Sequence, residues 1–101
     1  MHSGTAGPTA ATIEIVITEE LDATSVPRFT LLLNEAADLR PAVLVVDLAQ
    51  CPFVDAAAIG MLLDVHRRLF AAGGRLTLRS PGPRITRTLQ LARVENVLHV
   101  E

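Results

Sequence analysis

The stretch from Ala42 to Gly74 constrains the fold of this chain more than any other. It opens on a continuous apolar run, AVLVVDL (Ala42 to Leu48), the pattern of a parallel strand covered on both faces. A short turn follows, and Asp55 stands where a helix N-cap belongs, its carboxylate able to accept from the first unpaired N–H groups. Ile59, Leu62, Leu63, Leu69 and Phe70 then recur at helical spacing, which predicts a helix laying these side chains on the sheet. The Gly73-Gly74 pair stops it. A strand, a turn and a helix in this order expose the helix N-terminus at the carboxyl end of a buried strand. Open α/β sheets place their binding sites there. The turn carries no hydroxyl: no Ser, Thr or Tyr occurs between Leu31 and Leu76, and the flanking ones in sequence are Thr30 and Thr77.

The remaining elements alternate around this unit. Thr12 to Thr18 (TIEIVIT) is rich in β-branched residues and reads as a strand. Ser25 can cap a helix with Pro27 in its first turn and an apolar stripe of Phe29, Leu32, Leu33 and Ala36, ended by Arg40-Pro41. Arg75 to Arg79 (RLTLR) alternates as a third strand. Ser80, with Pro81 and Pro83 beyond it, starts a further helix on which Ile85, Leu89 and Ala92 share a face. Asn96 to Val100 (NVLHV) closes as a short strand. The order β-α-β-α-β-α-β implies an α/β domain with a mainly parallel sheet and helices as crossovers. Residues 1–11, small and polar with Gly4, Gly7 and Pro8, read as a flexible leader to one domain over 12–101.

Composition excludes several functions. With 101 residues there is material for one hydrophobic core, and 3% aromatic content leaves its packing to aliphatic side chains. A net charge of -2 gives no electrostatic case for nucleic acid or an anionic membrane. The nine basic residues are all Arg, which codon usage explains more simply than Arg-rich recognition. The single Cys51 rules out an internal disulfide, fits a reducing compartment and reads as a small buried hydrophobe. The opening MHSGTAGPTAA lacks the basic and apolar regions of a signal peptide, and no segment approaches the roughly 18 apolar residues of a membrane span. A cytoplasmic location is expected.

Enzyme chemistry finds little support. Capping explains Asp55 without a catalytic or metal-binding role. His66 falls inside the predicted helix near its apolar stripe, and His99 in the last strand; they are not paired at metal-ligand spacing. Asp22, after Glu19 and Glu20, forms a small acidic group at a strand end, readable as a solvated turn or a partner contact. The glycine pair follows a helix instead of preceding one, so it makes no phosphate loop, and no Ser, His and Asp set suggests a triad. No metal or cofactor is expected.

The ordered set of motifs resembles the STAS domains, and especially the stand-alone anti-sigma factor antagonists of bacteria. EELD (Glu19 to Asp22) resembles their GELD, and SVP (Ser25 to Pro27) their T-A-P helix start. VLVVDLAQCPFVDAAAIGMLL resembles LVLDLSGVTFIDSSGLGVLL, and HRRLFAAGGRLTL is close to the family's helix-to-strand text. SPGPRITRTLQLARVENVLHV resembles the final helix and strand, usually N-P-S-P-x-V-x-R-x-L-x-x-T-G-L. The resemblance covers about Thr12 to the end. It implies the STAS fold, with a mainly parallel sheet of four to five strands and crossover helices.

It also implies a binding switch. In that family the unphosphorylated domain binds a Ser/Thr kinase that doubles as an anti-sigma factor, and phosphorylation of a Ser in a D-S-S-G turn ends the interaction. Here that turn reads Asp55-Ala56-Ala57-Ala58, with Ala57 at the acceptor position. The resemblance points to Asp22, Asp55, Ala56, Ala57, Ala58 and, on the following helix, Asp64, Arg67 and Arg68 as the partner-contact surface. Glu19 and Arg93 replace family glycines. Family members often add an N-terminal strand and a helix after the last strand; the leader here is poorly patterned, and Glu101 falls before that helix. Apolar surface left bare would favour a homo-oligomer or a partner. Alternatives to an anti-sigma factor antagonist are a STAS subunit of a larger complex, such as the companion of a transporter ATPase, and a small-ligand sensor.

Overall fold

The computed structural model describes residues 11–101. Apart from Ala11, the expected leader lies outside the described residues. Four strands and three helices alternate: β1 (Thr12–Val16), α1 (Val26–Asp38), β2 (Val43–Asp47), α2 (Ala56–Ala71), β3 (Arg75–Arg79), α3 (Pro83–Leu91) and β4 (His99–Val100). The strands run parallel in the order β1-β2-β3-β4. No helix follows β4 among the described residues.

Every crossover steps one strand in the same direction, so right-handed connections bring all three helices to one face of the sheet. The register agrees. Ile13, Leu44 and Leu76 lie in one row and Ile15, Val46, Leu78 and Val100 in the next, all packed in or against the core. The alternate positions, including Val45 and Thr77, face away from that core. The expectation that residues 42–48 are covered on both faces holds at the strand centre, although the helices lie on one face. Val45 is nonetheless only 4% exposed. Arg79, on β3, reaches across β2 to Glu14 on β1 and also meets Glu101, Nε to Oε1, at 3.3 Å. This charged strap crosses the open face beside Val45 and explains how an apolar strand stays dry without a second helical layer.

Helix packing follows the seven-residue drift of an α-helix. On α2, Ala58, Leu62, Val65 and Leu69 form the buried line, joined by Ile59 and Met61. Leu63 is half-buried, and Phe70, one residue and 100° past Leu69, is 70% exposed, against the expectation that it packs on the sheet. Likewise Ala37 replaces Leu32 in the stripe of α1, and Ala92 is exposed while Val94 and Leu98 complete the contribution of the α3 end. Ser80 does not start α3: Gly82 is its N-cap and Pro83 its first residue. The last strand is shorter than Asn96 to Val100 because Val97 and Leu98 both donate to the Val94 carbonyl, turning the chain first. The α2 terminus, by contrast, is as expected. Gly73 takes φ 87°, its N–H donates to Phe70 O, and Gly74 N–H reaches back to Leu69 O at 2.8 Å, the paired closure of a Schellman motif. A Cβ on Gly74 would stand 2.4 Å from the Pro41 carbonyl oxygen, so only glycine lets β3 begin against the start of β2.

Two packing predictions follow. Leu62→Ala, at a fully buried site, is expected to cost roughly 2–5 kcal/mol in urea denaturation, whereas Phe70→Ala should stay within about 0.5 kcal/mol. Thr77 is buried on the open face with no partner for Oγ1. Thr77→Val removes an unsatisfied hydroxyl at nearly constant shape and should raise the denaturation midpoint or leave it unchanged; a clear drop would show that the hydroxyl is paired.

Candidate functional site

At the carboxyl end of the sheet the β1–α1 loop and the β2–α2 turn are joined into one surface. Beyond the strands, Leu21 and Val54 form an isolated parallel bridge: Leu21 N–H donates to Phe53 O at 2.9 Å and Asp55 N–H to Leu21 O at 3.1 Å. Both bridge residues are buried, so their apolar side chains anchor the seam from below.

Asp55 completes the connection. Its Oδ1 accepts from Ala58 N–H at 2.9 Å, capping α2 as the sequence predicts, and Oδ2 accepts from Ala23 N–H, also at 2.9 Å. One carboxylate thus ends one helix and holds the tip of a loop 32 positions away in sequence. The cap of α1 is less conventional. Ser25 was expected to cap it, but its buried hydroxyl donates to Glu20 O at 2.8 Å and accepts from Asp22 N–H at 3.1 Å. Ser25 thus stands at the N-cap position of α1 without a side-chain cap bond, and Asp22 supplies the acceptor for the turn before it: Oδ1 accepts from Thr24 N–H at 3.0 Å and Ser25 N–H at 3.1 Å, while its carbonyl accepts from Val26 N–H. Asp22 and Ser25 therefore satisfy each other's amides in the turn that leads into α1, with the reciprocity of a capping box. The D-x-x-S spacing was the signal in the sequence.

The expected contact residues separate into three groups. Ala56 and Ala57 are exposed in the first turn of α2, and Gly60, Asp64 and Arg67 continue the same open face, with Arg67 and Asp64 paired at 3.0 Å. Asp22 and Asp55 border this face but spend their carboxylates on backbone amides. Ala58 and Arg68 stand apart from these. Ala58 is fully buried beneath the turn, so it supports the surface without being part of it. Arg68 turns toward α1, bonding Asn34 Oδ1 at 2.8 Å and pairing with Asp38, three helical turns from Ala57; it ties the two helices together.

Sequence reasoning missed two neighbours of the turn. Arg84, on α3, lies over the Phe53 ring, its Cζ 4.9 Å from the centroid, and so closes the flank opposite the Asp22 loop. Thr24 is exposed in that loop, next to Ala23. Counting along the chain made Thr30 and Thr77 the flanking hydroxyls; the Ala23–Asp55 bond brings Thr24 beside the turn instead.

The titratable groups around this turn are packed or paired. Burial pushes the Cys51 thiol up, and Sγ lies 3.4 Å from Phe53 O, so it is a packed neutral thiol. Hydrogen bonding to Arg28 holds the Glu19 carboxyl below its ordinary range, in an exposed pair. No group of three His, Cys, Asp or Glu side chains among the described residues could hold a metal ion, and no helix there is long and apolar enough to cross a membrane.

The comparisons with known proteins agree with this geometry. The family model described as the STAS domain matches residues 8–101. The chain belongs to that family. Among solved structures, the anti-sigma factor antagonist SpoIIAA in its unphosphorylated form superposes with a TM-score of 0.77 at 22% identity, over 92% of this chain and 82% of that one. The phosphorylated form of the Bacillus protein gives 0.69 at 22% identity, over 92% and 85%. A sulfate transporter family protein from Wolinella succinogenes gives 0.76 at 18% identity, over 93% and 78%. At these identities the likeness is one of fold. A comparison with curated proteins gives no match.

Removing the clamp should loosen both loops together. Asp55→Ala is expected to cost roughly 1–3 kcal/mol and to accelerate amide exchange at Ala23 as well as Ala58; unchanged protection at Ala23 would show that the loops are held independently. The Cys51 thiol should resist a thiol reagent in the folded protein at neutral pH and react promptly in denaturant. Because its folded pKa is raised, the stability that comes from keeping it neutral is present below the unfolded value and falls as pH rises above it.

Proposed function

We propose that this chain is a non-enzymatic interaction module of the anti-sigma factor antagonist kind, binding an anti-sigma factor or kinase-type protein in the cytoplasm and so influencing sigma-factor-dependent transcription. The contact surface is the loop tip at 22–24, the first turn of α2 at Ala56 and Ala57, and the open helix face through Gly60, Asp64 and Arg67. The observation that carries this reading is the exposed first turn of α2, pinned rigidly by Asp55 yet lined by methyl groups alone. Such a turn offers close approach to a partner and no side-chain chemistry of its own. With no hydroxyl at positions 56–58, the family's acceptor position cannot be phosphorylated, and this turn stays in the form equivalent to an unphosphorylated antagonist.

A second reading is a STAS subunit of a transporter complex, supported by the equal fold likeness to the sulfate transporter family protein. The partner would then be a membrane assembly, and sigma factors would be unaffected.

Substitution at Ala57 separates the surface from the fold. Ala57→Ser should leave the melting temperature nearly unchanged, since Ser is tolerated in a first helical turn. Ala57→Glu places a charge in the contact surface and should weaken binding of an anti-sigma kinase, measured by calorimetry, roughly tenfold or more. Arg67→Glu should weaken it too without lowering the melting temperature, because its ion pair with Asp64 is exposed. Asp22 is unsuitable for this purpose, since reversing its charge breaks the turn that leads into α1. If Ala57→Glu binds as tightly as wild type, this turn is not the interface.

A further inference from the structure

We infer that the outer face of α3, formed by Arg84, Arg87 and Leu91 and ended by Arg93, is a docking site for an acidic protein segment. It goes beyond the α2 turn and stands whether or not that turn meets a partner.

The net charge of -2 conceals a segregation of charge along the chain. Residues 80–94 carry three arginines and no Asp or Glu, while the rest of the sequence sets six arginines against eleven acidic residues. Of those six, Arg28, Arg67, Arg68 and Arg79 each pair with a carboxylate. Among the described residues, Arg84, Arg87 and Arg93 pair with none. The domain is acidic over most of its surface and basic along one helix.

That helix presents the cations in register. Arg84, Arg87 and Leu91 fall within an arc of about 60°, opposite the buried Ile85 and Leu89, and span about 10 Å along the axis. Thr88, in the same stripe, spends its hydroxyl on the Arg84 carbonyl at 3.1 Å. The Arg84 guanidinium stacks on Phe53, Cζ 4.9 Å from the ring centroid, which holds its face and leaves its N–H edge open. A planar fork held in this way suits a carboxylate, which it can meet with two parallel N–H···O bonds. Leu91, 75% exposed, supplies an apolar end to the stripe.

Arg93 adds an independent observation. It closes α3 at φ 59°, its N–H on Gln90 O and that of Val94 on Leu89 O, the same closure that Gly73 makes for α2. Glycine suits this left-handed conformation, so an arginine there costs the fold stability. Arg40 ends α1 similarly but is half-buried, whereas Arg93 is exposed. A strained side chain that contributes no ion pair to its own fold has its use outside it.

The cluster fits a protein better than a nucleic acid. Three cations beside an exposed leucine match a short run of carboxylates with an apolar residue among them. A longer polyanion would run onto the acidic remainder of the surface.

The test titrates the full-length chain against a fluorescein-labelled peptide of repeated Glu-Leu-Glu-Ala units, read by fluorescence anisotropy. The wild type should bind it, more weakly as salt rises, and should bind a Gln-Leu-Gln-Ala counterpart roughly tenfold less tightly. Arg87→Glu should weaken binding of the acidic peptide roughly tenfold. The same charge change at Arg75, exposed at the start of β3, should leave it near the wild-type value. Arg93→Gly should weaken binding about threefold while melting at or above the wild type, which no folding defect can imitate. No binding by the wild type, equal losses from Arg87→Glu and Arg75→Glu, or undiminished binding by Arg93→Gly each overturns the proposal. So does tighter binding of duplex DNA or phosphatidylserine vesicles than of the peptide.

Discussion

A single carboxylate carries the organisation of the functional end of this domain. Asp55 faces two backbone amides from opposite sides, Ala58 at the start of α2 and Ala23 at the tip of the β1–α1 loop. A helix N-terminus has unpaired donors by construction, and a loop tip has at least one. Placing an anion between them satisfies both and fixes their separation. The short Leu21–Val54 bridge joins the same two segments beneath it. The local motif and the tertiary seam are the same interaction, which makes the surface at this end rigid even though its outer residues are alanines.

The rest of the architecture supports that end economically. Three same-handed crossovers leave one sheet face without helices, and a small domain with few aromatic side chains has little apolar surface to spare for a second layer. The Glu14–Arg79–Glu101 strap solves this with long side chains whose charged heads pair above Val45. Charged residues at alternate strand positions thus act as cover for the sheet, and their exposed, paired character also discourages edge association. Arg68 plays a related part between α1 and α2, where it bonds Asn34 and pairs with Asp38.

Within the STAS family this chain keeps an Asp cap on its α2 turn and carries no hydroxyl there. Asp55 is retained because the helix cap and the loop need it; Ala57 is free to vary because it is exposed and touches nothing that the fold requires. The cap at Asp55 and the exposed side chain at position 57 are therefore separable within one turn.

The linear chain determined the elements and their order. Apolar runs, the Asp55 cap, the glycine closure at 73–74 and the absence of hydroxyls from the central turn all rest on local chemistry, which acts within a few residues. It also made the STAS resemblance visible. Tertiary structure decided which helix flank faces the sheet, because Leu69 and Phe70 are indistinguishable in hydropathy but lie 100° apart around an axis set by packing. It decided that Ser25, at the N-cap of α1, sends its hydroxyl to the Glu20 carbonyl and leaves Asp22 to hold the turn before the helix. It alone brought residue 23 to residue 55, and with it Thr24 to the side of a turn that sequence distance had put out of reach. Capping and helix closure are short-range and can be read from neighbours; the pairing of a loop amide with a distant carboxylate exists only once parallel strands have set their register.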